Sequence, residues 1–238
     1  MRTKTIGRGY GSTYMPTAMV TGANRGIGLE LVRQLLDRDY TVHATYRHDM
    51  GGLASLVHPG LVVHQMDVCH ADEVEAAIEN IGPSLDLLVN NAGVADGRWS
   101  NVSEIDFDVV SAVMEVNAIA PVRVTQHALP LLAVHGGKVL MITSLMGSIG
   151  DCASGRSYAY RASKTALNMF TTAMNNEMKA QNISLLLMHP GWVETDMGGP
   201  NAPLSVEESV EGIMARVDEQ TLDMSGRFVD YAGTHLPW

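Results

Sequence analysis

Tyr160 and Lys164 lie four residues apart in Ser157-Tyr158-Ala159-Tyr160-Arg161-Ala162-Ser163-Lys164, a stretch that reads as the start of a helix continuing to about residue 178. On a helix this spacing stacks the two side chains one turn apart on one face, whereas Tyr158 points elsewhere. A tyrosine hydroxyl titrates near ~10 in water, and an ammonium fixed beside it favours the phenolate and draws that value toward neutrality. Such a pair can donate and accept a proton during a reaction. Taken alone the spacing is unspecific, because Tyr and Lys also meet at i, i+4 on ordinary amphipathic helices.

The elements that would position this pair are legible nearby. Residues 138–143 form an apolar run, read as a buried strand, that ends at Ser144. A serine at the carboxyl end of a parallel strand lies in the crevice where open α/β sheets take ligands. Upstream, Thr21-Gly22-Ala23-Asn24-Arg25-Gly26-Ile27-Gly28 joins a strand at 17–21 to a helix at 26–38, whose apolar face carries Ile27, Leu31, Leu35 and Leu36. Gly22 permits the tight turn, and Gly26 and Gly28 let the backbone approach a pyrophosphate resting on the helix N-terminus. Asn90-Asn91-Ala92-Gly93 follows a further apolar strand at 85–89. Four such motifs, in this order and at this spacing, resemble the short-chain dehydrogenase/reductase family over about residues 17–232. The short Gly-Gly-Pro-Asn segment and the C-terminal residues are similar to its C-factor-like small carbonyl reductases.

The resemblance implies hydride transfer between NADP(H) and a small ketone, aldehyde or alcohol. Ser144 would hold the carbonyl oxygen and Tyr160 deliver the proton. Lys164 would hold the nicotinamide ribose and lower the Tyr160 pKa, and Asn117 would hold a water that resupplies the proton. Asn117 sits within the helix read at 107–132, and Pro121 removes a helix donor four residues on, in agreement with a local opening. The family pattern assigns the cofactor cradle to the turn from Gly22 to Gly28, including Asn24, Arg25 and Ile27. It assigns the adenine to Asp67 and Val68, and the ribose to Asn91, Ala92 and Gly93. Pro190, Gly191, Val193 and Thr195 fall to the nicotinamide. At the end of the second strand, read at 40–46, Tyr46 stands where an NAD-preferring relative places an acid. Arg47 and Arg25 can flank a 2′-phosphate, so NADPH is expected over NADH.

Length and composition bound the rest. The 238 residues suit one domain, at 17–238, after a flexible tail at 1–16. The expected fold is a single Rossmann-type doubly wound α/β domain, with a seven-stranded parallel sheet and helices on both faces. Strands at 61–66 and 184–188, helices at 71–81 and 206–217, and a last strand at 226–229 complete it. A formal net charge of −10 argues against nucleic acid or an anionic membrane as partner. Cys69 and Cys152 have no metal or disulfide spacing and no histidine pair has ligand spacing, so no metal site is expected, and a cytoplasmic location fits. The apolar surface of the helices at 107–132 and 159–179 predicts a homodimer or homotetramer. Pocket walls are expected from 95–99, 145–158 and a reduced, open lid at 196–203, with Trp99, Met146 and Trp192 near the nicotinamide. A dinucleotide-binding sensor of the same fold is the alternative reading, and a dehydratase or epimerase a third.

Overall fold

The computed structural model describes residues 14–238, so most of the expected tail lies outside the described residues. Seven parallel strands lie in the order β3-β2-β1-β4-β5-β6-β7. They are β1 (Thr17–Val20), β2 (Thr41–Tyr46), β3 (Leu61–Gln65), β4 (Leu87–Asn90), β5 (Lys138–Ile142), β6 (Ser184–His189) and β7 (Arg227–Asp230). Strands buried on both faces need apolar residues at successive positions, and alternate residues serve opposite layers. Ala18, Val20, Leu140 and Leu186 pack with α1 (Gly26–Leu36) and α6 (Val206–Glu219). Their neighbours Met19, Leu88, Met141 and Leu185 pack on the other side with α2 (Ala71–Glu79), α4 (Ala120–Leu132) and α5 (Tyr158–Ala180). No helix among the described residues is long and apolar enough to cross a membrane.

The helix read as continuous over 107–132 has three parts: α3 (Phe107–Met114), a π-turn (Glu115–Ile119) and α4. Its cause is local. Proline at 121 has no N–H to give the Asn117 carbonyl, and the ladder widens so that the Ala120 N–H reaches back to the Glu115 carbonyl. Of the expected tail, Tyr14 is described as joined to the sheet: its hydroxyl donates to the Asp86 carboxylate, which also accepts the Thr17 N–H at 2.7 Å.

The order of strands reverses between β1 and β4, and this is where a crevice opens beyond their carboxyl ends. A knot of hydrogen bonds fixes its floor. The Thr21 hydroxyl accepts the N–H groups of Asn91 (3.0 Å) and Ala92 (3.1 Å), and the Asn91 amide donates to the carbonyls of Thr21 and Gly22, both at 2.9 Å. Gly22 has φ +63°, and a methyl there would lie 2.8 Å from the Ala92 Cα, so only glycine fits. Thr21→Val keeps the shape but strands two part-buried N–H groups. A loss of about 2–4 kcal/mol in urea unfolding is expected, with Thr21→Ser recovering most of it; equal stabilities for Val and Ser variants would refute the role given to the hydroxyl.

Candidate active site

β5 delivers Ser144 to the crevice, where the chain turns into a short 3₁₀ segment (Leu145–Gly147) capped by the Ser144 hydroxyl, which accepts the Met146 N–H at 3.1 Å. Gly147 lets this segment lie directly on α5, since a Cβ there would sit 2.9 Å from the Lys164 main chain. Ser157 starts α5 from a left-handed conformation, φ +57°, which turns the loop sharply into the helix. Ser144 and Tyr160 thereby line one cleft of about 490 Å³, with their hydroxyls in the same neighbourhood.

Lys164 is 4% exposed and donates to the Ile142 carbonyl at 2.9 Å, with its Nζ 5.8 Å from the centre of the Tyr160 ring. Burial drives its pKa down to about 8. Tyr160 moves the other way. Burial raises it, and the neighbouring Ser144 hydroxyl and the Arg98 charge offset only part of that. The expected lowering by Lys164 is therefore corrected: desolvation of the phenolate outweighs the favourable contacts, and the cation that helps is Arg98. At neutral pH the pair holds a protonated tyrosine, suited to donation.

Asn117, fully buried in the π-turn, spends its amide on protein partners. It accepts the Val94 N–H and donates to the Val94 carbonyl, both at 2.8 Å, and donates to the Ser163 hydroxyl at 3.0 Å. It thus braces the loop carrying Asn91, Ala92 and Gly93 against α5. Gly93 lacks a side chain where Lys164 passes; a Cβ would lie 3.7 Å from Nζ.

The residues expected to hold a dinucleotide meet around the start of α1. That helix has Arg25 at its N-cap without a side-chain cap and no acid in its first turn, and Ile27 opens onto the cleft. Unbonded first-turn N–H groups suit a pyrophosphate. Gly26 (φ +53°) faces the Thr195 methyl at 3.3 Å from a notional Cβ, and one on Gly28 would strike the Gly22 carbonyl at 2.4 Å. Asn24 gathers the loop after β2, accepting the Gly52 N–H and donating to the Asp49 carbonyl. Within that loop Arg47 is exposed and among the described residues has no ion-pair partner, while the Tyr46 carbonyl accepts the Met66 N–H. Arg25 is ion-paired to Asp196 at 2.7 Å, so the two expected 2′-phosphate groups differ: Arg47 is free and Arg25 is engaged.

Where the adenine is expected, Asp67 accepts the Cys69 N–H at 2.9 Å, and the Val68 carbonyl accepts from Arg123, itself paired with Glu115 of the π-turn. Across the cleft, Pro190 is fixed through its carbonyl by the Ser209 hydroxyl, Gly191 adopts φ +88°, and Val193 bridges to Leu204. The Thr195 hydroxyl accepts the Gly198 N–H at 3.1 Å.

The lid expected to be open is short but strapped. Asp196 is held by Arg25, the Met197 carbonyl accepts from Arg98 at 2.9 Å, and the Gly198 carbonyl accepts from Trp192 Nε1 at 2.8 Å. Met146 and Trp192 line the cleft as expected, but the Trp99 ring packs on Gly97 instead. Arg98, Arg161 and His189 also line it. Arg98 falls within the wall expected at 95–99, but no spacing pattern marks its charge, Arg161 or His189 as part of the site. His189 Nδ1 is buried without a protein partner, and burial lowers its pKa. Among the described residues no cluster of three or more His, Cys, Asp or Glu could hold a metal ion.

A parallel sheet with a glycine turn and an uncapped helix start at its switch point defines a dinucleotide-binding protein, here with Ser144, Tyr160 and Lys164 gathered in the crevice. Comparison with known proteins gives the family. Residues 16–203 match the short chain dehydrogenase model, and the chain belongs to that family. Over 158 residues it is 42% identical to C-signal of Myxococcus xanthus, covering 66% of this chain and 94% of that one. It is 35% identical over 235 residues to 1-hydroxy-2-glutathionyl-2-methyl-3-butene dehydrogenase of Rhodococcus sp. (strain AD45), covering 94% and 100%. The crystal structure of NADPH-bound carbonyl reductase from chicken fatty liver superposes with a TM-score of 0.87 at 33% identity, covering 94% and 99%.

Lys164 carries a stability prediction. Its folded pKa lies below the unfolded 10.5, so the unfolded chain binds the extra proton. Stability is reduced in full below about 8 and recovers as pH rises toward 10.5. The cost at neutral pH is roughly 3 kcal/mol, of which the Ile142 hydrogen bond returns about 1. Lys164→Met is expected to raise unfolding stability by about 1–3 kcal/mol at pH 7 and by progressively less up to pH 10. A destabilised variant, or a gain independent of pH, would contradict the buried-cation reading.

Proposed function

We propose that the chain is an NADPH-dependent reductase that passes hydride to the carbonyl carbon of a ketone or aldehyde, with Ser144, Tyr160, Lys164 and Asn117 as its working set. The observation that carries this reading is the adjacency of the Ser144 and Tyr160 hydroxyls within the cleft, backed by a buried lysine. When bound, the dinucleotide supplies the hydride. The glycine turn and first helical turn would hold its pyrophosphate, Asp67 and Val68 its adenine, Asn91 to Gly93 its ribose, and Pro190 to Thr195 its nicotinamide. The Ser144 and Tyr160 hydroxyls both donate to the carbonyl oxygen and fix its position. As charge builds on that oxygen, the Tyr160 proton moves onto it, and the Arg98 cation favours the phenolate left behind. Asn117 positions rather than reacts, holding the Val94 segment to α5. A protonated Tyr160 at rest favours the reductive direction.

NADPH is proposed on Arg47, with the carbonyl reductase neighbour that binds NADPH as support. The Arg25–Asp196 pair is largely exposed and contributes only about 0–1 kcal/mol, so a phosphate offering a charge-assisted bond of about 1.5–3 kcal/mol can recruit Arg25 as well. A sensor would not need a complete proton-donor set, and this disfavours that alternative. We further assign 17–238 to one catalytic domain and, from the two free cysteines, a reducing cytoplasmic setting. Phe107 (75% exposed), Met169 (69%) and Phe170 (41%) on α3 and α5 support a homodimer through these helices.

Tyr160→Phe removes the proton donor and keeps the ring. Its kcat on a diketone or aromatic aldehyde is expected to fall roughly 100-fold or more, with NADPH affinity little changed; near-normal turnover would end the assignment. Arg47→Asp is expected to reduce the NADPH-over-NADH ratio of kcat/KM by about ten- to a hundredfold, and an unchanged ratio would mean that Arg47 does not read the phosphate. Light scattering at micromolar concentration is expected to give at least twice the chain mass, and a monomeric mass would remove the dimer.

A further inference from the structure

Two arginines share the cleft with Ser144 and Tyr160, and neither is neutralised. Arg98 donates from Nε to the Ala95 carbonyl (3.3 Å) and from Nη2 to the Met197 carbonyl (2.9 Å). Arg161 donates from Nε to the Arg156 carbonyl and from Nη2 to the Ser154 hydroxyl, both at 3.0 Å. A guanidinium carries five N–H donors, so each retains several that are free, and each is held by neutral acceptors in a fixed direction. Arg25, Arg33, Arg123 and Arg216, by contrast, all have a carboxylate partner, whereas no carboxylate among the described residues pairs with Arg98 or Arg161. In a chain of net charge −10 this is a local reversal of sign. Asp151 is the one acid lining the cleft, which leaves a single positive charge in excess. Leu145, Met146, Trp192 and Met197 give the same cleft apolar walls, and its volume of about 490 Å³ admits a compact molecule.

We infer that the substrate is a carbonyl compound with an apolar body and a carboxylate, the carboxylate being held by Arg98 and Arg161 while its carbonyl oxygen meets Ser144 and Tyr160. The inference rests on the carbonyl-reduction reading above and adds the substrate class. Planar forks pre-set by neutral acceptors bind a carboxylate with little ordering cost, and a neutral molecule would leave both cations partly desolvated and unpaired. Arg98 then links recognition to chemistry and to the lid, because the same guanidinium straps the Met197 carbonyl and stands close enough to act on Tyr160.

The test compares kcat/KM, with NADPH, for 3- and 4-formylbenzoate against their methyl esters. Wild type is expected to favour at least one acid over its ester by about tenfold or more, with the preference weakening as salt rises. The Arg98→Gln/Arg161→Gln double variant is expected to bring the ratio near one, while Lys at both positions keeps most of it; NADPH binding checks that each variant is folded. Equal wild-type rates on every acid and ester would overturn the anionic substrate and leave the reductase reading standing. Turnover of neither would overturn both. A preference that survives in the double variant would remove these two arginines from the assignment.

Discussion

The buried ammonium of Lys164 is the constraint around which the crevice is arranged. It is nearly sealed from water with one main-chain carbonyl, that of Ile142, as its hydrogen-bond partner. A charge so placed is costly, and its depressed pKa records the cost. The surroundings are built close about it: Gly93 lies alongside the ammonium, and Gly147, where a Cβ would strike the Lys164 main chain, lets the turn after β5 lie flat against α5. Because whole domains are stable by only about 5–15 kcal/mol, a site of this kind draws noticeably on the stability that the two apolar layers supply. Such an arrangement persists where it serves chemistry rather than packing.

Asn117 and Arg123 spread that constraint through the helical layer. The π-turn points Asn117 at the loop after β4 and at Ser163 of α5, and Arg123, one turn further on, joins the Glu115 carboxylate to the Val68 carbonyl after β3. A single irregular turn therefore touches the loop read as the adenine contact and the helix that bears Tyr160 and Lys164. An unbroken α-helix would put residue 117 in a different register to both.

How much of this was legible depended on the range of the interaction. The glycine turn, the Tyr160–Lys164 pair, the strand-end Ser144 and the disturbance near Asn117 each rest on geometry within a few residues, and so they read directly from the chain. Pro121 announced the broken ladder because the missing donor is a property of that residue alone. Arg25 did not announce its engagement, since Asp196 lies 171 positions away. The titration of Tyr160 was misread for a related reason: spacing on a helix reports which groups are neighbours but not how much water remains around them. Arg98, Arg161 and His189 belong to a loop, the first turn of α5 and a strand end, whose mutual approach is set by the whole sheet. The lid was correctly short, but its three straps come from three separate parts of the chain.

The hydrogen-bond knot around Thr21 has a consequence for how the molecule comes into being. Its partners on the loop after β4 are about 70 positions downstream, so the glycine turn has no fixed shape when it is first synthesised. Closing so long a loop before any bond rewards it is slow, and parallel pairing of β1 with β4 carries that entropic delay. The crevice floor thus sets only after the first half of the sheet has collapsed. Until then the apolar edge of β1 is open to wrong partners, which makes early exposure of this strand the point at which a chaperone or a lower growth temperature would most improve the yield of active protein.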